Sequence, residues 1–428
     1  MKSITKQVKN SFHFYLLFVL TLSSCSSSWT TFQANNQRTG LVDRKEIQEP
    51  EVLWKTEIGI QGYLNNSLVA GDFVYVGSSG TRHNDMDEKD GVYCLNKKTG
   101  AIKWHFPMFD DACGIAYAFD KIYATGDGPL FSCIDAFSGE KVWELELGGS
   151  FSQPLIVDTL VIFGNELEGV SAIHAMTGEY LWELPSFNSP IRGGLSADDE
   201  FIYATFLDGT IACIDFYGEV IWTQKCEYMG SGGICYEVYP APTVTDSLVI
   251  VGFARYSYYK EPAVNAYDKK TGKLVWAGKA NAKVKSSFGN MRSSVALWEN
   301  QILFGSAYSN DLVAMDAIDG SPIWTLSMGD SMFPHWPSPI IAGNTLYLGR
   351  HDGGFNAIDL VNRKVLWQLY LGDHKNIVLR DLDYGMKDNS SDWDPASGSS
   401  IYSTPSLDEK GNIYVGTGEG WFYSIGNR

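Results

Sequence analysis

Apolar residues recur along this chain in short alternating runs, not at the three-to-four spacing of helices. Gln153-Pro-Leu-Ile-Val and Leu160-Val-Ile-Phe-Gly164 are typical. Such β-branched and aromatic stretches bounded by turn residues predict strands joined by tight turns. At longer range seven segments end alike, with an apolar strand, a turn and then a Trp. They read Tyr93-Cys-Leu-Asn-Lys-Lys-Thr-Gly100 before Trp104, Ser132-Cys-Ile-Asp-Ala-Phe-Ser-Gly139 before Trp143, and Ala172-Ile-His-Ala-Met-Thr-Gly178 before Trp182. Then follow Ala212-Cys-Ile-Asp-Phe-Tyr-Gly218 before Trp222, Ala266-Tyr-Asp-Lys-Lys-Thr-Gly272 before Trp276, and Ala314-Met-Asp-Ala-Ile-Asp-Gly320 before Trp324. The seventh, Ala357-Ile-Asp-Leu-Val-Asn-Arg-Lys before Trp367, puts Arg363 where the others have Gly.

An eighth Trp, Trp54, ends Glu51-Val-Leu-Trp with no strand trio before it, and the C-terminal stretch supplies three strands with no fourth. The Trp spacings of 50, 39, 39, 40, 54, 48 and 43 residues fit four short strands per repeat. Together these predict an all-β, eight-bladed β-propeller of four-stranded antiparallel blades. It is closed by residues 50–55 pairing with strands within about 399–426, which removes exposed sheet edges. The repeated Asp and Gly serve the turn, and Trp54, Trp104, Trp143, Trp182, Trp222, Trp276, Trp324 and Trp367 fill the wedge between blades. A pattern present at seven positions reads as a folding rule, not as a catalytic site.

The repeat, with Ser338-Pro-Ile340 before Leu346-Tyr-Leu-Gly349 and Thr404-Pro-Ser406 before Ile413-Tyr-Val-Gly416, resembles the tryptophan-docking repeat of pyrroloquinoline-quinone-type propellers. The resemblance covers about residues 29–428, and Trp29-Thr-Thr-Phe to Arg38-Thr-Gly40 looks like that superfamily's lead-in. It implies one of two functions. Quinoprotein dehydrogenases hold pyrroloquinoline quinone (PQQ) and calcium on the axis, whereas lipoproteins of the BamB outer-membrane assembly type act as scaffolds without a cofactor. The chain lacks the adjacent Cys pair of quinoprotein alcohol dehydrogenases, and His335, His351, Arg192, Arg292 and Arg350 show no supporting spacing. The scaffold reading is preferred, with no cofactor expected; an oxidoreductase and a glycan or small-ligand binder are the alternatives.

Residues 1–24 resemble a secretory leader: Lys2, Lys6 and Lys9, an apolar run from Phe12 to Leu22, then Leu22-Ser-Ser-Cys25. Cys25 is the expected lipidation site, residues 25–49 a tether and lead-in, and 50–428 the propeller. This implies a lipid anchor in the cell envelope, at the outer membrane facing the periplasm if the source has two membranes. The net charge is −17, or −20 without the leader's lysines, which disfavours nucleic acid. An envelope protein partner and a monomeric ring are expected.

Other candidates are weaker. Asp85, Asp87 and Asp90, and again Asp388, Asp392 and Asp394, cluster oxygen ligands, but neither run has the register of a twelve-residue calcium loop. Cys94, Cys133 and Cys213 read as small buried residues, and Cys226 and Cys235 as a possible disulfide in an oxidising compartment. Propeller connectivity puts every long insertion on the face opposite the uniform Asp-to-Gly turns. Those loops carry Tyr228, Arg255, Tyr256, Tyr258, Tyr259, His335, Trp336, Arg380, Tyr384 and Trp393. Aromatic and Arg side chains are the usual anchors of interfaces, so this loop face is the expected site and the turn face is expected to be plain.

Overall fold

Alternating apolar strands with no helical stretch must bury both sides of their sheets, and a ring of radially stacked sheets does this. The computed structural model describes residues 28–62, 65–81, 86–146, 152–165, 169–184, 189–191, 193–226, 238–253, 264–278, 291–306, 311–328, 336–372 and 400–428. It contains eight four-stranded antiparallel blades, seven of them built from consecutive strands, and Leu41–Val42 adds a fifth, parallel strand to the sheet of blade 7. Blade 1 comprises Ser67–Ala70, Phe73–Ser79, Asp90–Asn96 and Ile102–Pro107. Its first three strands are almost wholly buried, and the fourth is half-exposed on the rim. Blade 8 is Ser406–Leu407, Ile413–Gly416 and Trp421–Asn427, completed by Pro50–Glu57. The N-terminal strand thus closes the ring by pairing Trp54 with Ser424 and Glu57 with Trp421.

Each fourth strand carries the same irregularity. In blade 1 Cys94 faces Trp104 and Leu95 faces Ile102, leaving Lys103 unpaired; in blade 2 Val142 is skipped before Trp143. The shift recurs just before the Trp in all eight blades. A bulge re-aims the side chain that follows it, and here it turns the indole toward the next blade. The residue paired with each Trp is small: Cys94, Cys133, Ala172, Cys213, Ala266, Ala314, Ala357 or Ser424. That explains the three Cys copies.

The indole then docks. Nε1 of Trp104 donates to Ala136 O at 3.1 Å, that of Trp143 to Ala175 O at 3.1 Å and that of Trp182 to Phe216 O at 3.0 Å. Trp54, Trp222 and Trp276 do the same to Lys97, Lys269 and Ala317. In these six the acceptor is the first residue after the turn's Asp, Asn or His. The turn's Gly lies flat on the ring: a Cβ at Gly139 would fall 2.7 Å from Trp104. Gly is therefore required twice over, by its φ of +75° and by the indole.

At the closure no turn exists for Trp367, and its Nε1 donates to Ile47 O at 2.7 Å. Asn427 Oδ1 accepts from Gln48 N at 2.7 Å and Glu49 N at 3.2 Å, capping across the two chain ends as Asp135 caps its own turn.

The lead-in, expected to lie outside the propeller, is built into it from Trp29 onward. Trp29 bridges Val69, and Thr30 O accepts from Tyr117 N. Asn36 O accepts from Ala197 N, Gln37 O from Val244 N, Thr39 O from Leu297 N and Gly40 O from Ile341 N. Asn36 Nδ2 adds a bond to Ile156 O. One segment so fastens the innermost strands of blades 1 to 7, at the end of the axis nearest the turns.

The docking predicts a pair of unequal effects. Gly71 and Gly139 both have positive φ, but nothing lies within 4 Å of a Cβ at Gly71. Gly71→Ala should cost about 1–2 kcal/mol for the left-handed backbone alone. Gly139→Ala should cost about 1–3 kcal/mol more by crowding the indole. Denaturant titration of both variants measures the difference.

Candidate interaction face and the sealed axis

Nine of the ten side chains expected on the loop face, Tyr228, Arg255, Tyr256, Tyr258, Tyr259, His335, Arg380, Tyr384 and Trp393, lie outside the described residues. So do Cys25, Cys235, Asp85, Asp388, Asp392 and Asp394. Trp336 is described, and it corrects the expectation of an open anchor. It is only 4% exposed. The Arg292 guanidinium sits 4.5 Å from the Trp336 ring and 4.5 Å from that of Tyr239. Trp336 also meets Tyr402 edge-on at 6.0 Å, and Tyr402 meets His351 at 4.4 Å. Tyr239, Arg292, Trp336 and Tyr402 precede the first strands of blades 5, 6, 7 and 8 in turn. The wall they form ties those blades together, so Trp336 packs loops against each other.

Beside it Arg350 and Asp352 form a buried two-point ion pair, with Nε to Oδ1 at 2.9 Å. Arg350 also donates to Met328 O, which ties the loop between strands two and three of blade 7 to the end of blade 6. Burial pushes the His351 imidazole down to about 3, so it is neutral at physiological pH.

The two described acids of the first cluster hold their own loop. Asp87 accepts from Thr81 N, Thr81 Oγ1 and Lys89 N, and Asp90 Oδ2 accepts from Asp87 N at 2.7 Å. Among the described residues no group of three or more His, Cys, Asp or Glu side chains is arranged to hold a metal ion. Asp90 is fully buried, and burial, with Asp111 and Asp87 nearby, raises its carboxyl to about 7. Burial likewise pushes the thiols of Cys94, Cys133 and Cys213 up to about 12, far from a reactive thiolate. Cys226 is buried, with Asn265 Nδ2 at 3.5 Å from its sulfur, and among the described residues it has no disulfide partner.

Arg38 was not singled out from sequence as a site, yet it is fully buried at the turn end of the axis. Nε donates to Leu195 O at 3.0 Å, and Nη1 to Thr31 Oγ1 at 2.6 Å and Phe32 O at 2.7 Å. Burial lowers its guanidinium to about 9. The axis is thus sealed from the turn side by the chain's own lead-in.

Eight blades locked by docked indoles define a propeller of the quinoprotein-like class. Within it the chain belongs to the family described as outer membrane protein assembly factor BamB, whose model matches residues 22–106, 110–184 and 166–404. A protein of that description from Burkholderia pseudomallei is 25% identical over 378 residues, covering 78% of this chain and 94% of its own. The crystal structure of BamB from Moraxella catarrhalis aligns with a TM-score of 0.62 at 15% identity, over 88% of this chain and 99% of its own. A europium-containing methanol dehydrogenase aligns at 0.68 with 16% identity, over 94% and 98%. At such identities the two structures share the fold alone.

The Asp90 environment predicts a pH effect. Its folded-state value lies above the ordinary carboxylate value, so it favours folding at low pH, and that contribution is lost as pH rises through about 7. Asp90→Asn, which keeps the acceptor, should raise the melting temperature clearly more at pH 8 than at pH 5, and leave it nearly unchanged only at about pH 3, below the ordinary carboxylate value. Equal shifts at both pH values would contradict this.

Proposed function

We propose that the protein is a lipid-anchored scaffold of the cell envelope, acting in the assembly of outer-membrane proteins through its loop face. The observation that carries this reading is the whole-length match to a BamB-described relative, 94% of which is covered. The repeated residues are spent on structure: Trp on docking, Gly on the indole, Asp on the turn. What remains to distinguish the protein is its long loops, which on a rigid ring are where binding resides. The anchor is Cys25 and the partner an envelope protein.

The likeness to a methanol dehydrogenase raises the oxidoreductase reading on fold alone. The described axis residues do not fit a planar quinone. Arg292 lies between Tyr239 and Trp336, 4.5 Å from each ring, so these two aromatic faces are already taken by a guanidinium.

A photo-crosslinking residue at Tyr258 in living cells should capture one defined envelope protein, and loss of the gene should lower the level of assembled outer-membrane proteins. Normal outer-membrane protein levels with no crosslinked species would sink the scaffold reading. Dye reduction by the purified protein on quinone addition would replace it with the oxidoreductase.

A further inference from the structure

The turns between third and fourth strands have a free position. Two residues after the Asp, Asn or His, the backbone N–H donates inward: Phe137 N and Tyr217 N to the preceding Asp Oδ1 at 3.1 and 2.9 Å, and Ile318 N to Asp316 Oδ1 at 2.7 Å. The side chain points out and is not constrained by the fold. Lys98 and Lys270 occupy it in blades 1 and 5, both exposed. The other five blades put Phe137, Met176, Tyr217, Ile318 and Val361 there, and these are 44–85% exposed. Phe119, on the first hairpin of blade 2, joins them at 46%. Exposed apolar side chains also stand singly on the rim, among them Ile102, Leu181 and Ile221, but the turn tips repeat theirs at one structural position around one face, which is the pattern of a surface that something covers.

The chain's course identifies what covers it. Trp29 pairs antiparallel with Val69, each N–H donating to the other's carbonyl at 2.8 Å. The strand Ser67–Ala70 runs toward the turn face, so the chain before Trp29 leads out through that face. Three residues, Ser26 to Ser28, lie between Cys25 and Trp29, so their Cα atoms are at most about 14 Å apart. We propose that the turn face lies against the lipid bilayer, with the apolar tips entering its interface; this rests on the reading of Cys25 as the anchor. Asp72, Asp120, Asp158, Asp199, Asp246 and Glu299 stand exposed on the hairpins of the same face. The bilayer it fits therefore has neutral, zwitterionic headgroups, since anionic ones would be repelled. Interfacial seating through an apolar patch beside a lipid anchor follows the two-signal logic of stable peripheral attachment. The loop face is then presented to the aqueous compartment.

The test uses the full lipidated chain, reconstituted in phosphatidylethanolamine–phosphatidylcholine vesicles containing spin-labelled lipid. A fluorescent thiol probe is placed at Met176→Cys, at Tyr217→Cys or, as control on the loop face, at exposed Met86→Cys, with the unsubstituted protein correcting for native thiols. Incorporation of an alkyne fatty acid, lost in Cys25→Ala, reports the anchor separately. Expected is quenching several-fold stronger at 176 and 217 than at 86, weakened when the neutral lipids are replaced by phosphatidylglycerol. No labelling at Cys25 overturns the anchor and the proposal with it. Labelled protein with no excess quenching at 176 and 217 overturns the face alone. Protection of those probes by unlabelled copies in place of lipid would make the crown a self-association surface and also overturn it.

Discussion

The structure depends on one contact repeated around a ring: an indole N–H reaching across to a backbone carbonyl in the next blade's turn, with that turn's Gly lying on the indole. The contact couples three features that look independent. The bulge aims the Trp, the small residue paired with it leaves it room, and the missing Cβ of the Gly lets the turn approach. Each blade touches only its neighbours, so stability is a sum of blade and interface contributions, as in other repeat proteins. Such an array frays from its ends unless it has none. Residues 47–57 and 421–428 remove the ends by imitation: Ile47 offers the carbonyl that a turn would offer, and Asn427 caps as a turn's Asp would. The lead-in adds a second fastening by running past the innermost strands of seven blades.

The one departure shows the physics of the rest. Between blades 6 and 7 the turn has Arg363 in place of Gly, at a φ of 54°. A side chain there would collide with an indole seated as in the other blades. Trp324 donates instead to Gln301 Oε1 at 2.9 Å, within its own blade, and the Arg363 guanidinium lies 5.8 Å from its ring. A cation over the aromatic face replaces a glycine lying on it, so the interface keeps its packing and changes its hydrogen bond.

What could be read from sequence divides along physical lines. Gly139 with Trp143, or Gly178 with Trp182, recur four residues apart because the turn is the same each time, and the indole that each Gly touches lies about one repeat earlier. Closure by Trp54 was legible because a missing strand and a spare strand must be reconciled. The bulges were not, since register belongs to two strands together and leaves no mark on either. The burial of Arg38 was also hidden: a lone Arg in a polar lead-in reads as solvated until seven blades are assembled around it. Trp336 failed as an exposed anchor for the converse reason. A large aromatic in a long loop has two uses, and Arg292, more than forty residues earlier, decides between them.

Uniform backbone in the Asp-to-Gly turns made that face look featureless, because loop length was the measure. Loop length reports what the backbone is free to do. In these turns the backbone is fixed by the docking contact, and the only freedom left is the side chain at the tip, where Phe137, Met176 and Tyr217 stand in consecutive blades. A rigid turn is the better platform for such residues, since the tip is held in place by the same hydrogen bonds that seat the next indole and loses no backbone entropy on meeting a surface. The constraint that builds the ring therefore also sets an array of side chains at one height across one face, without any insertion to announce it.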